Sequence, residues 1–339
     1  MNLTPDQALK EIRQKKILPL YFIHGDEPYY IDKLADALEK AVVPEAEKGF
    51  NQFVLFGKDA DVGTILNYAR RFPFMAERQL VLVKEAQQSG GFDSKEKTAM
   101  LEDYAARPLS STVLVLCFQG NFDMRKALPK VFEKNGALIH SKKLYDNKLP
   151  DWVGEYARGL GAKISIKAIQ MLVENIGNDL KRITSEIDKM LLNLSINEEI
   201  TAGVVEKYVG ISKEYNVFEL QKALTQRDVV KSNKIAVYLA ANPKENPLPQ
   251  VLIILYNFFS KVLVVHGTPD KSEGNLASVL GVGPFFVKDY LSAARQYSLM
   301  HVVKAIKAIR QADNASKGID AGSMDESAIL QELVFTILH

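Results

Sequence analysis

The position in this sequence best suited to chemistry is the turn after Leu20-Tyr-Phe-Ile-His24, where a short apolar run ends in Gly25 and Pro28 opens a helix-like pattern. A glycine between a strand and a helix is where a phosphate loop of the form G-x-x-x-x-G-K-[ST] sits. Its backbone N–H groups cradle phosphate, its lysine neutralises charge and its hydroxyl holds magnesium. Here the segment reads Gly25-Asp-Glu-Pro-Tyr-Tyr-Ile-Asp-Lys33, with Tyr30 at the second glycine, Ile31 at the lysine and Asp32 at the hydroxyl. Asp26 and Glu27 would repel a polyphosphate, and Lys33 falls two residues late, as a solvated helix lysine. The groups that phosphate chemistry needs are replaced, so no nucleotide or other cofactor is expected.

Other reactive residue types fare no better. The strand-like run Gln79–Val83 ends in Lys84-Glu85, with no acidic pair to hold magnesium. His24, His140, His266, His301 and His339 are scattered without metal-ligand spacing, which favours structural or surface roles. The pairs Glu102-Asp103 and Glu198-Glu199 read as solvated helix or loop carboxylates. The one cysteine, Cys117, lies in the apolar run Val113–Phe118 and reads as a small buried hydrophobe. A lone cysteine also excludes a multi-cysteine zinc module. No catalytic and no metal-ligating residue is assigned.

The elements that carry these residues alternate over the first 140 positions. Apolar runs at 20–24, 52–56, 79–83, 112–118 and 137–140 read as strands. Between them, Ile31, Leu34, Ala35, Leu38 and Val42 recur at helical spacing, as do Ile65, Leu66, Ala69 and Phe72 after a capping Asp61. Further helices are expected near 96–106 and 126–133. Pro73 is expected to stop the second pattern, with Phe72 turned inward. Strands separated by helix-length segments predict a parallel sheet covered on both faces.

After residue 141 only helical patterns are expected. They run over 152–160, 166–176 and 179–194, then 217–225, 228–241, 249–266, 276–280, 284–297, 300–312 and 325–338. The fold class is therefore α/β plus all-α, divided as 1–140, 141–212 and 213–339. A chain of 339 residues is long enough for several cores.

Charge narrows the partners. With 43 Lys and Arg against 41 Asp and Glu, the chain has no overall reason to coat nucleic acid. A local basic window holds Lys288, Arg295, Lys304, Lys307 and Arg310 against Asp289 alone. The longest apolar run, Val251–Val265, is interrupted by Asn257, Ser260 and Lys261 and is expected to be a buried helix too short and polar to span a bilayer. No secretory leader pattern follows the basic N-terminus, so the expected setting is cytoplasmic.

Four stretches resemble the delta subunit of the bacterial DNA polymerase III clamp loader. They are Pro19–Ile31, Arg71-Phe-Pro-Phe-Met-Ala-Glu-Arg-Gln-Leu-Val-Leu-Val-Lys84, Ile176-Gly-Asn-Asp-Leu-Lys-Arg-Ile-Thr-Ser-Glu-Ile-Asp-Lys-Met190, and Ala312-Asp-Asn-Ala-Ser-Lys-Gly318 with the closing helix. They occur in family order from end to end. The resemblance implies an AAA+-like domain without a working phosphate loop, a three-helix lid domain and a helical collar domain that assembles a hetero-pentamer. It further implies a subunit of a DNA-directed DNA polymerase holoenzyme, a nucleotidyltransferase by membership, that has no catalysis of its own. Its partners would be the sliding clamp (the beta subunit), the other loader subunits, and primed DNA within the complex, with no membrane.

The family position that inserts into the clamp's hydrophobic pocket falls on Pro73, Phe74 and Met75. The family commonly has leucine and phenylalanine where this chain has Phe74 and Met75. Lys304, Lys307 and Arg310 share one side of a helix, with Val302, Val303, Ile306 and Ile309 on the other, and are the candidates for DNA phosphate contact; a solvated helix face is the plainer account. Two other classes stand against the clamp-opening one. A degenerate ATPase needs the lysine and hydroxyl that the loop lacks. A helical DNA-binding protein needs a larger basic face.

Overall fold

The computed structural model describes residues 1–120, 122–195, 198–209, 215–319 and 324–339. Two compact units divide it, Met1–Leu144 and Tyr145–His339. The single division falls after Leu144, where 140/141 was expected, and the expected 212/213 boundary lies outside the described residues.

In the first unit, six strands form one parallel sheet: β1 (Asn2–Leu3), β2 (Leu20–Gly25), β3 (Gln52–Phe56), β4 (Gln79–Lys84), β5 (Thr112–Gln119) and β6 (Ala137–His140). Their order is β1-β6-β2-β5-β4-β3. The register pairs Phe22 with Leu116 and with Leu138, and His24 with Phe118 and with His140. Alternate residues feed two cores. Phe22, Val81, Val83, Leu114, Leu116 and Leu138 pack towards one side, while Tyr21, Ile23, Leu80, Leu82, Val113, Val115 and Ile139 pack towards the other. Helices Val62–Ala69, Lys95–Ala106 and Ala127–Asn135 cover the first side, and Pro5–Arg13 and Pro28–Ala41 the second. Burial on both faces is why the central strands are almost continuously apolar rather than alternating.

The sequence reading missed β1, which is too short to leave a period, and the helix Pro5–Arg13. That helix has a readable signal: Thr4 accepts from the Gln7 N–H while the Gln7 side chain accepts from the Thr4 N–H, a reciprocal capping box. Cys117 is buried on β5, and burial pushes its thiol up to about 12, so it is an inert core residue.

The second unit is helical, with one exception to the expectation that strands vanish. β7 (Lys163–Ile164) and β8 (Glu199–Ile200) form a two-stranded parallel ladder. Glu199 is therefore a strand residue. Around the ladder lie helices Leu149–Gly159, Ile166–Ile176, Leu180–Leu191 and Ala202–Val209, the last not foreseen. In the third of these, Leu180, Ile183, Ile187 and Met190 are buried. The remaining helices are Val217–Thr225, Val229–Ala241, Leu248–Gly267, Glu273–Leu280, Val287–Gln296, Leu299–Ser316 and Glu326–Leu338.

Leu248–Gly267 corrects another expectation. At 20 residues it is long and apolar enough to cross a membrane by length and composition. Its Val251, Leu252, Leu255, Phe258, Phe259 and Val262 nevertheless pack into the large core shared with Tyr297, Ile309 and Leu333. The sequence reading of a buried helix holds, but the reason given for it, that the run is too short and polar to span a bilayer, does not.

Candidate functional site

Two loops of the first unit sit where function was sought. The first follows β2. Gly25 has φ +136°, a region that side chains with a Cβ rarely adopt, and a Cβ there would lie 2.0 Å from the Ser141 carbonyl oxygen. The chain is this close because Ser141 stitches the loop to the end of β6. Its N–H donates to the His24 carbonyl at 2.7 Å, its hydroxyl donates to the Glu27 carbonyl at 2.6 Å, and its carbonyl accepts from the Glu27 N–H at 3.1 Å. Glu27 is buried and caps the helix Pro28–Ala41, with its carboxylate accepting from the Tyr29 N–H at 3.0 Å. Pro28 has no N–H to offer. The helix terminus that would receive a phosphate already holds a carboxylate of its own.

His24 and His140, far apart in sequence, meet here because β2 and β6 are neighbours. Their rings stack with centroids 4.5 Å apart. Burial first, and then the neighbouring His140, lower the His24 pKa to about 4, against a smaller opposing pull from Asp26. Its Nδ1 is buried without a hydrogen-bond partner. Among the described residues no group of three or more His, Cys, Asp or Glu gathers in a way that could hold a metal ion.

The second loop joins the helix Val62–Ala69 to β4 and holds Pro73, Phe74 and Met75. Asp61 caps that helix by accepting from the Thr64 N–H and hydroxyl, both at 2.8 Å, and pairs with the Lys97 ammonium at 2.8 Å. Ile65 and Ala69 face the core as predicted. Phe72 does not. The helix ends at Ala69, four residues before Pro73, so Phe72 leaves the helical register and is 77% exposed. Proline restricts the residue before it to extended backbone, and here that acts on Phe72 after the helix has already stopped.

Three buried side chains satisfy the loop's backbone. Tyr104 donates its hydroxyl to the Ala69 carbonyl at 3.1 Å. The Gln79 amide nitrogen reaches the Arg71 carbonyl at 2.6 Å and the Tyr68 carbonyl at 3.2 Å. Asn51, only 1% exposed, clasps Phe74 from both sides: its Oδ1 accepts from the Phe74 N–H at 2.6 Å and its Nδ2 donates to the Phe74 carbonyl at 3.0 Å. Met75 follows at φ +50°, a left-handed conformation costly for a side chain of this kind. The outcome is inverted relative to an ordinary loop. Its supporting polar groups are inside, while Phe74 is 61% and Met75 89% exposed. Phe50, 69% exposed, joins them with its ring centroid 5.5 Å from that of Phe74. Phe50, Phe74 and Met75 thus form one exposed apolar cluster.

A family model described as DNA polymerase III, delta subunit, matches residues 21–142, and one described as DNA polymerase III delta subunit, C-terminal domain, matches residues 214–337. The chain belongs to the DNA polymerase III delta-subunit family. It is 28% identical over 336 residues to the DNA polymerase III subunit delta of Bacillus subtilis (strain 168), covering 97% of this chain and 95% of that one. The solved structure of the Bacillus subtilis DNA clamp loader delta protein (YqeN) aligns with a TM-score of 0.61 at 27% identity, over 98% of this chain and 99% of that one. The fold is thus the delta-type one: a parallel-sheet unit followed by a helical one.

The sequence reading mistook part of this loop's anatomy. Phe74 and Met75 are exposed in it, Phe72 is turned outward rather than inward, and the sequence reading named neither Phe50 nor Asn51. Their signal is weak in sequence, since Phe50 and Asn51 sit on the short helix Lys48–Asn51, and Asn51 lies 23 residues before Phe74. Lys304, Lys307 and Arg310 are exposed on the helix Leu299–Ser316, opposite the buried Val302, Ala305, Ala308 and Ile309.

Proposed function

We propose that this chain binds and opens the sliding clamp, the beta subunit, through the loop carrying Phe74 and Met75, with Pro73 shaping that loop, and that it has no catalytic activity of its own. One observation carries the proposal: two adjacent apolar side chains stand exposed while a buried amide clasps the backbone beneath them. The resemblance of Arg71–Lys84 to the family's clamp-binding segment supports the same position. Apolar anchors of this kind cost roughly 2 kcal/mol or more each when truncated. A contact made more strongly with the open clamp than with the closed one shifts the clamp towards the open form by that difference, without chemistry.

The rest of the chain fits an assembly role. Residues 1–140 act on the clamp, 141–212 form the lid, and 213–339 form the collar through which the other loader subunits join a hetero-pentamer. Polymerase chemistry belongs to the holoenzyme, and ATP hydrolysis by sister subunits times the exposure of the anchor. As a subunit acting on primed DNA, the chain works in the cytoplasm, with Lys304, Lys307 and Arg310 as auxiliary phosphate contacts.

The test is Phe74→Ala with Met75→Ala. Clamp affinity should fall at least a hundredfold, while circular dichroism and pentamer assembly stay normal. A variant that binds the clamp as before moves the anchor elsewhere, and one that unfolds returns these residues to the core. Isothermal titration with magnesium-ATP should give no binding heat; micromolar binding mapped to Gly25–Lys33 would show a working nucleotide site.

A further inference from the structure

Phe50 and Asn51 lie outside the stretch that resembles the family's clamp-binding segment, yet both touch its central residue. We infer that Asn51 is a positioning residue for the clamp-binding loop and that Phe50 is a third contact of the anchor; the inference rests on the function proposed above. Asn51 turns its amide oxygen and an amide N–H to Phe74: the Phe74 N–H donates to Oδ1 at 2.6 Å, and Nδ2 donates to the Phe74 carbonyl at 3.0 Å. Nδ2 also lies 3.3 Å from the Glu47 carbonyl, which ties the loop to the turn preceding β3. With Asn51 buried, water cannot replace either bond.

Fixing the peptide groups on both sides of Phe74 fixes the direction of its side chain. It also holds Met75 in a left-handed conformation that an unclasped loop would leave. A loop already in its binding shape meets the partner with little left to order, so a larger fraction of encounters succeed. Phe50 acts differently. Its ring leans on the Phe74 ring at 45° and remains largely open to solvent, so the clamp pocket that receives Phe74 meets Phe50 at its border. That continuity makes the occupant of this surface the clamp. Rigid aromatic side chains are the residues that most often dominate such contacts.

The two roles separate in binding kinetics measured with full-length chain and immobilised clamp. Asn51→Ala should slow association about tenfold with dissociation within about twofold, because it lowers only the fraction of competent loops. Phe50→Ala should speed dissociation about tenfold with association nearly unchanged and an unaltered Tm, because it takes an aromatic ring out of the bound interface. A wild-type association rate in Asn51→Ala would overturn the positioning role, as would loss of its cooperative unfolding transition, which would assign Asn51 to the fold. A wild-type dissociation rate in Phe50→Ala would overturn its place in the anchor. If Phe74→Ala with Met75→Ala abolishes binding while these two variants behave as wild type, only this inference fails; if the double variant binds normally, the proposed function fails first.

Discussion

The two loops of the first unit lie at opposite edges of one parallel sheet. Gly25–Glu27 follows the C-terminal end of β2, the edge where open α/β sheets place their ligand crevice. The Phe74 loop precedes the N-terminal end of β4. Both have their backbone polar groups gripped by buried side chains, Ser141 and Glu27 in one, Asn51 and Gln79 in the other. In the first the grip closes the loop against β6 and fills the helix terminus. In the second it turns Phe74 and Met75 outward. The same use of buried hydrogen bonds closes one loop and shapes the other, and what separates the outcomes is which side chains remain outside.

The largest effect that would sharpen this comparison is on the closed loop. Gly25→Ala places a Cβ against the Ser141 carbonyl at a backbone angle open to glycine, and should cost about 3 kcal/mol of stability or more. Thermal unfolding measures it, and the clamp affinity of the folded fraction should not change. Lost affinity at unchanged Tm would mean that the two loops are coupled rather than independent.

A comparable effect concerns pH. The His24 pKa stands at about 4 in the folded chain, below its ordinary 6.5, because burial and His140 oppose the charge while Asp26 favours it. Between those values the unfolded chain binds the extra proton, so stability is fully present above about pH 6.5 and falls as pH drops towards 4, by up to about 3 kcal/mol. Urea midpoints at pH 7.0, 5.5 and 4.5 check this, and His24→Phe, which keeps an aromatic ring against His140, should flatten the slope. A slope that persists in the variant would place the titrating group elsewhere.

How much of this was legible in the sequence depends on whether a feature is local. Strands β2, β4, β5 and β6 announced themselves because burial on both faces makes their runs apolar, the edge strand β3 was legible from its apolar run alone, and Tyr30, Ile31 and Asp32 argued against a phosphate loop by identity. Phe72 was misjudged because helical spacing continued on paper past Ala69, where the helix ends. The His24–His140 stack and the Asn51 clasp depend on which strands and loops are neighbours, and no periodicity encodes that. The ladder of β7 and β8 was invisible because two-residue strands carry no period.

The smallest expected effect lies in the second unit. Replacing Lys304, Lys307 and Arg310 by alanine should flatten the salt dependence of DNA binding by the assembled loader, by roughly 0.9 in logarithmic slope for each phosphate that is no longer neutralised. An unchanged slope would leave the three as a solvated helix face.

The most direct measurement of the central claim is clamp opening itself. A clamp labelled with a donor and an acceptor across one subunit interface, mixed with the isolated chain and no nucleotide, should lose energy transfer as that interface separates. The same chain carrying Phe74→Ala and Met75→Ala should leave the transfer unchanged. Opening by the double variant, or a wild-type chain that opens the clamp only when it binds ATP itself, would contradict the account.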